Sequence, residues 1–231
     1  MKRYVIANWK CHKTSEDGRR WFDNFAAVYQ PHQAVQVIVS PSIVNLESIA
    51  NYLEGLKLDN VSLAAQDVSP FPKGSYTGAV AADMIKSMAG YVIIGHSERR
   101  RYFHETSQDV VNKVSEAADS GIVPIVCVDS SNALSQLTAL ADIECDQLLV
   151  AYTPVDALNF NIAESPEKVA EAVADIRHKF PPFQVVYGGA LIPGNVKKYL
   201  QLSSLSGVFI GASSLEPGPF ADICSQAAVD V

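Results

Sequence analysis

Eight short, near-continuously apolar runs recur along the chain, at 4–7, 35–39, 61–64, 91–94, 123–128, 148–151, 184–187 and 208–210. Runs without polar alternation are what strands look like when both faces are covered, in a parallel sheet or inside a barrel. The stretches between them have helical spacing. Residues 15–29 place Trp21, Phe22, Phe25 and Val28 on one face, and 42–52 does the same with Ile43, Leu46 and Ile49. A helix over 107–120 opens on Ser107 as its cap and stops before Gly121. Another, over 166–180, has Pro166 behind the capping Ser165 and ends at Pro181 and Pro182. Segments 195–202 and 220–228 complete the series. Strand–helix alternation with short loops means a parallel sheet with right-handed crossovers. Eight repeats point to an α/β chain closed into a (β/α)8 barrel, with an open doubly wound sheet as the competing architecture. The stretch between Cys127 and Leu148 is brief for a helix and two loops, so the fifth element is trimmed.

A barrel of this kind uses about 250 residues as one domain, which fits a single domain over 1–231. The formal net charge of −7 argues against nucleic acid or an anionic membrane as the main partner. It leaves room for a small anion at a locally positive site. Cys11, Cys127, Cys145 and Cys224 form no CxxC pair and suggest no metal site, so they read as free thiols in a reducing cytosol. The apolar stretch of the N-terminus is too short for a signal peptide, and no run approaches the roughly 20 residues of a membrane span. The expectation is a cytoplasmic protein needing no metal and no organic cofactor.

Active sites on such barrels lie at the carboxyl ends of the strands. After the first run come Asn8, Trp9 and Lys10, the lysine supplying positive charge. After the fourth come Gly95, His96, Ser97 and Glu98, where a neutral imidazole can donate to a substrate carbonyl. Taken singly, a surface Lys and a structural His are the plainer readings. Small residues follow the seventh and eighth runs, Gly188–Gly189–Ala190 and Gly211–Ala212–Ser213. Backbone N–H groups there can approach a phosphate or sulfate anion. Arg99, Arg100 and Glu105 read as a structural ion-pair set and Cys127 as a buried strand thiol, with His12, His32, His104 and His178 on the surface.

Taken together, NWK at 8–10, GSYTG from Gly74 to Gly78, YVIIGHSERR at 91–100, PIVCV at 124–128 and YGGA at 187–190 resemble the triosephosphate isomerase family, in order and at the right strands. The resemblance covers essentially the whole chain, and the trimmed fifth element resembles the shorter archaeal-type members. It implies the interconversion of glyceraldehyde 3-phosphate and dihydroxyacetone phosphate, a glycolytic and gluconeogenic step. Asn8 and Lys10 match the substrate-binding pair. His96 matches the neutral imidazole that polarises the carbonyl, a role the resemblance carries over from the family. Glu98, beside Ser97, matches an acid near the lysine. Thr77 matches the residue a partner subunit inserts beside the active site, implying a homodimer or larger assembly through the 74–78 loop.

One segment departs from the pattern. After the sixth strand the family carries AYEPVWAIGTG, whereas this chain reads AYTPVDALNFN from Ala151 to Asn161. Thr153 stands in place of the catalytic glutamate, and a hydroxyl is essentially never ionised near neutral pH. A positioned general base contributes about 10²- to 10⁴-fold, or roughly 3–5 kcal/mol of barrier. Asp156 replaces the hinge tryptophan, and Asn159 and Asn161 replace the glycines of the lid. Ala190 and Ala212 replace a serine and a glycine of the phosphate loops, whose backbone donors survive. Three roles follow. The chain is an isomerase of small phosphorylated sugars with impaired activity, Asp156, Glu164 or Glu98 standing in as base. Or it is a non-catalytic module holding a sugar phosphate or an anion. Or it acts purely through the surface around 74–78.

Overall fold

The computed structural model describes residues 2–229. The eight apolar runs become eight strands: β1 (Arg3–Asn8), β2 (Val35–Ser40), β3 (Val61–Ala65), β4 (Tyr91–Ile94), β5 (Val123–Val128), β6 (Leu149–Tyr152), β7 (Gln184–Tyr187) and β8 (Gly207–Ile210). All neighbours are parallel, and β8 pairs back onto β1, closing the barrel. The open doubly wound alternative is thereby excluded.

Side chains alternate along each strand, so each strand serves two cores. Inside the barrel lie Ile6, Ile38, Ile93, Ile125, Cys127, Leu149, Ala151, Val186 and Phe209. Their alternates, such as Val5, Ala7, Val37, Val126 and Val150, face the surrounding helices and form the larger core. The seam between β8 and β1 depends on one residue type. Gly207 has φ +155, and a Cβ there would lie 2.0 Å from the Tyr4 carbonyl oxygen.

Helices α1 (Ser15–Val28), α2 (Ile43–Leu56), α3 (Ala82–Ile85), α4 (Ser97–Tyr102), α5 (Ser107–Asp119), α6 (Ala133–Leu140), α7 (Val155–Phe160), α8 (Pro166–Lys179), α9 (Pro193–Leu200) and α10 (Pro217–Ala228) surround the strands. α1 packs against the barrel with an aromatic cluster: Trp9 meets Trp21 edge-on at 4.9 Å, and Phe25 stacks on Trp21 at 4.9 Å. Burying each such ring stabilises the fold by about 1.5–3 kcal/mol. The cap of α5 is Thr106 rather than the expected Ser107. Its hydroxyl accepts the Asp109 N–H while the Asp109 carboxylate accepts the Thr106 N–H. α9 and α10 start earlier than their apolar spacing suggests, because Pro193 and Pro217 open their first turns. The trimmed fifth element is α6, eight residues long.

Cys11, Cys127, Cys145 and Cys224 are all free thiols, with Cys127 buried in the barrel interior. Among the described residues no helix is long and apolar enough to cross a membrane. His12, His104 and His178 are exposed, and His32 is half-buried.

Candidate functional site

The segments that follow β1, β4, β5 and β6 line a cleft of about 530 Å³, walled by Lys10, Ser97, Glu98, Arg101, Asp129 and the α7 residues Val155, Leu158 and Asn159. Its inner wall starts at β1. Asn8 Oδ1 accepts the Lys10 N–H at 3.0 Å, a turn that lets Lys10 take the left-handed φ of +52°. Gln66 Nε2 donates to the Lys10 and Ser40 carbonyls, both at 2.9 Å, and fixes that turn. The Lys10 ammonium donates to Glu98 Oε1 at 2.5 Å. Its stem runs past loop eight, where a Cβ on Gly211 would lie 3.9 Å from Lys10 Cε.

β4 delivers His96 through a turn that needs glycine. Gly95 has φ +73°, and a Cβ there would come within 2.9 Å of Arg100 Nη2 and 3.0 Å of Val110. His96 is 5% exposed, its ring 6.2 Å from the inward-facing Phe209 ring. Burial pushes the imidazole down to about 4, with Lys10 and Arg99 acting in the same direction and Glu98 opposing them. The ring is therefore neutral at pH 7. Its 3.6 Å approach to Glu98 Oε2 joins a neutral ring to a carboxylate rather than forming an ion pair. Nδ1 accepts the Glu98 N–H at 3.2 Å. A neutral imidazole holds one proton, so an accepting Nδ1 puts it on Nε2.

Thr153 follows β6 and is 2% exposed. Its N–H donates to the Val128 carbonyl at 2.7 Å, and its hydroxyl donates to the same oxygen at 3.4 Å. The neighbouring Cys127 thiol is buried, and burial pushes it up to about 12. The side chain is thus spent on the barrel wall.

Loops seven and eight lie side by side, joined by the Ser213 hydroxyl donating to the Leu191 carbonyl at 2.9 Å. Ala190 takes φ +50°, and Gly211 precedes a 3₁₀ turn over Ala212–Ser214. The N–H groups of Gly189, Ala190, Ala212 and Ser213 donate to no protein acceptor among the described residues. These are open donors of the kind that bind an anion.

The segment after Thr153 coils into α7. Asn161 occupies its left-handed end at φ +54°, so the asparagine takes a conformation that glycine usually supplies. Asn159 is exposed, and its Oδ1 accepts from Arg101 Nη1 at 3.3 Å, tying α7 to α4. Of the carboxylates named as substitute bases, none stands free in the cleft. Asp156 is exposed in the first turn of α7. Glu98 is held by Lys10. Glu164 Oε2 accepts the Tyr152 hydroxyl at 3.2 Å, and Tyr152 belongs to the outer core rather than the barrel interior. Glu164 is further fixed by its N–H on the Tyr187 hydroxyl at 3.0 Å and by Tyr199 on its carbonyl at 2.5 Å.

The expected ion-pair set is partly different. Arg99 pairs with Glu105 Oε1 at 3.7 Å as expected and more closely with Asp67 Oδ2 at 2.8 Å, and Lys113 bonds both Asp67 and the buried Glu105. Arg100 stands apart, donating to the Gly95 carbonyl and to Gln136 Oε1, each at 2.9 Å. The sequence reading missed Asp129, Gln66 and Arg101. Asp129 carried a signal, since it sits directly beyond an apolar strand, as His96 sits one glycine beyond its own. Gln66 and Arg101 carried none, because their partners Lys10 and Asn159 are distant in the chain.

The triosephosphate isomerase family model matches residues 3–227. The triosephosphate isomerase of Symbiobacterium thermophilum is 32% identical, over 97% of this chain and 96% of its own length. That of Caldanaerobacter subterraneus subsp. tengcongensis is 32% identical, over 96% and 99%. That of Dehalococcoides mccartyi is 30% identical, over 99% and 98%. With its closed eight-stranded barrel and a match running through all eight strands, the chain belongs to the triosephosphate isomerase family.

Proposed function

We propose that the chain binds a small phosphorylated sugar and interconverts glyceraldehyde 3-phosphate and dihydroxyacetone phosphate, at a rate lowered by the threonine at 153. One observation carries this reading: His96 is neutral, with Nδ1 satisfied by Glu98 and Nε2–H left as donor, in the site that also holds Lys10. A neutral donor and a cation are what a developing enediolate oxygen needs. Asn8 holds the turn that aims Lys10. The open N–H groups of Gly189, Ala190 and Ala212, with Gly211 as the small residue between strand and turn, donate to the phosphate oxygens. Asn159 adds a side-chain amide from the lid. The four free thiols fit a reducing cytosol.

The 74–78 loop supports assembly with a second copy. Residues 71–79 are all exposed, and Phe71 stacks on Tyr76 at 4.6 Å, which stiffens an arm carrying Thr77. Sedimentation of the wild type and of Thr77→Arg tests this. The reading requires a dimer or larger for the first and a shift to monomer for the second.

A second reading, a non-catalytic sugar-phosphate or anion-binding protein, rests on the Thr153 hydroxyl being turned to the Val128 carbonyl. Calorimetry with dihydroxyacetone phosphate and inorganic phosphate tests what both readings share, and binding of neither rejects both. Turnover above the buffer rate then separates them in favour of the first.

A further inference from the structure

Asp129 is the first residue beyond β5, one strand away from Thr153. Val128 and Tyr152 are paired in the β5–β6 ladder, so Asp129 and Thr153 follow each other's neighbours at the barrel mouth. Ile125 and Cys127 on β5, and Leu149 and Ala151 on β6, fill the interior. Asp129 and Thr153 each stand two residues beyond an inward-facing residue, just past the ends of β5 and β6. Asp129 lines the cleft of Lys10 and Glu98, beneath Val155, Leu158 and Asn159 of α7.

The cleft has two carboxylates. Glu98 is committed to Lys10, whereas Asp129 pairs with no cation among the described residues. Its Oδ1 accepts the Ser131 N–H at 2.7 Å, the Ser131 hydroxyl at 2.5 Å and the Asn132 N–H at 3.2 Å. Asn132 Oδ1 in turn accepts the Asp129 N–H at 3.1 Å. These bonds fix the side chain through one oxygen. Oδ2 accepts no protein hydrogen bond among the described residues, so a carboxylate that lines the cleft is positioned through one oxygen and keeps the other free of protein partners.

Building on the sugar-phosphate reading above, we propose that Asp129 is the base that moves the substrate proton in place of the absent glutamate. Asp129 Oδ2 takes a proton from C1 of dihydroxyacetone phosphate. The C1–H electron pair becomes the C1=C2 bond, and the carbonyl pair moves onto O2. His96 Nε2–H protonates O2, and the same nitrogen then takes the proton from O1. The O1 pair forms the aldehyde carbonyl while C2 takes the proton back from Asp129, giving glyceraldehyde 3-phosphate with every atom and charge accounted for.

The test is deuterium incorporation at C1 of dihydroxyacetone phosphate in heavy water, followed by proton NMR. Wild type, Asp129→Asn and the double variant Asp129→Asn/Thr153→Glu are compared, with the affinity of each for inorganic phosphate measured by calorimetry. Asparagine keeps the carbonyl oxygen that Ser131 and Asn132 use. We expect Asp129→Asn to slow exchange about 100-fold or more, with phosphate affinity unchanged within about twofold. The double variant is expected to recover exchange through the new glutamate. Exchange at the wild-type rate in Asp129→Asn overturns the proposal. So does a wild type that binds phosphate but incorporates no deuterium above buffer, which leaves the binding reading standing. A wild type that binds no phosphate overturns the sugar-phosphate reading and this proposal with it.

Discussion

The Lys10 ammonium lies 2.5 Å from Glu98 Oε1, and the Glu98 backbone N–H is donated to His96 Nδ1. One acidic residue thus holds the site's cation with its side chain and sets the imidazole tautomer with its backbone. The coupling is local, because Glu98 and His96 share the turn that opens α4.

Removing the cation separates binding from stability. Both partners of the ion pair are about a third exposed or more, so it contributes little to folding. A hydrogen bond from Lys10 to an anion is worth about 1.5–3 kcal/mol. Lys10→Met is therefore expected to weaken phosphate binding by roughly 10- to 100-fold and to leave the melting temperature nearly unchanged. Calorimetry and thermal unfolding on one preparation check both halves.

The buried imidazole gives the protein an acid-side weakness. His96 is held down to about 4 by burial, against 6.5 for the free group. Below pH 6.5 the unfolded chain takes up a proton that the folded chain refuses. The His96 contribution to stability is therefore complete above pH 6.5 and is lost as pH falls toward 4. NMR of the ring is expected to show no titration between pH 5.5 and 8. A His96→Asn variant is expected to lose less stability than wild type between pH 6.5 and 4.5 in urea unfolding.

The barrel seam makes a structural prediction. A methyl group at Gly207 has nowhere to go, since it would sit 2.0 Å from the Tyr4 carbonyl oxygen of the neighbouring strand. Gly207→Ala must shift β8 away from β1. We expect a loss of about 4 kcal/mol and a melting temperature lower by roughly 8–16 °C, read by calorimetric scanning.

The strands were legible because both of their faces are covered, which leaves apolar runs such as 123–128 without polar interruption. Closure was legible only from the repeat number. What physically decides it is the β8–β1 pairing, between residues some 200 positions apart. Helix starts read from apolar spacing came out late, because Pro193 and Pro217 set the first turn without belonging to the buried stripe. At the site, Lys10, His96 and Glu98 were found through motifs and do meet in space. The fate of Glu164 was not legible. Three tyrosines from β6, β7 and α9 fix it, and nothing local to its own segment announces them.

On the proposed reading, the electrophilic half of an isomerase site is intact and position 153 limits its rate. Glyceraldehyde 3-phosphate turnover by wild type and by Thr153→Glu, measured side by side, tests it most directly. Slow but measurable wild-type turnover and a gain of about tenfold or more in the variant are expected. A variant no faster than wild type, with phosphate binding preserved in both, would contradict it.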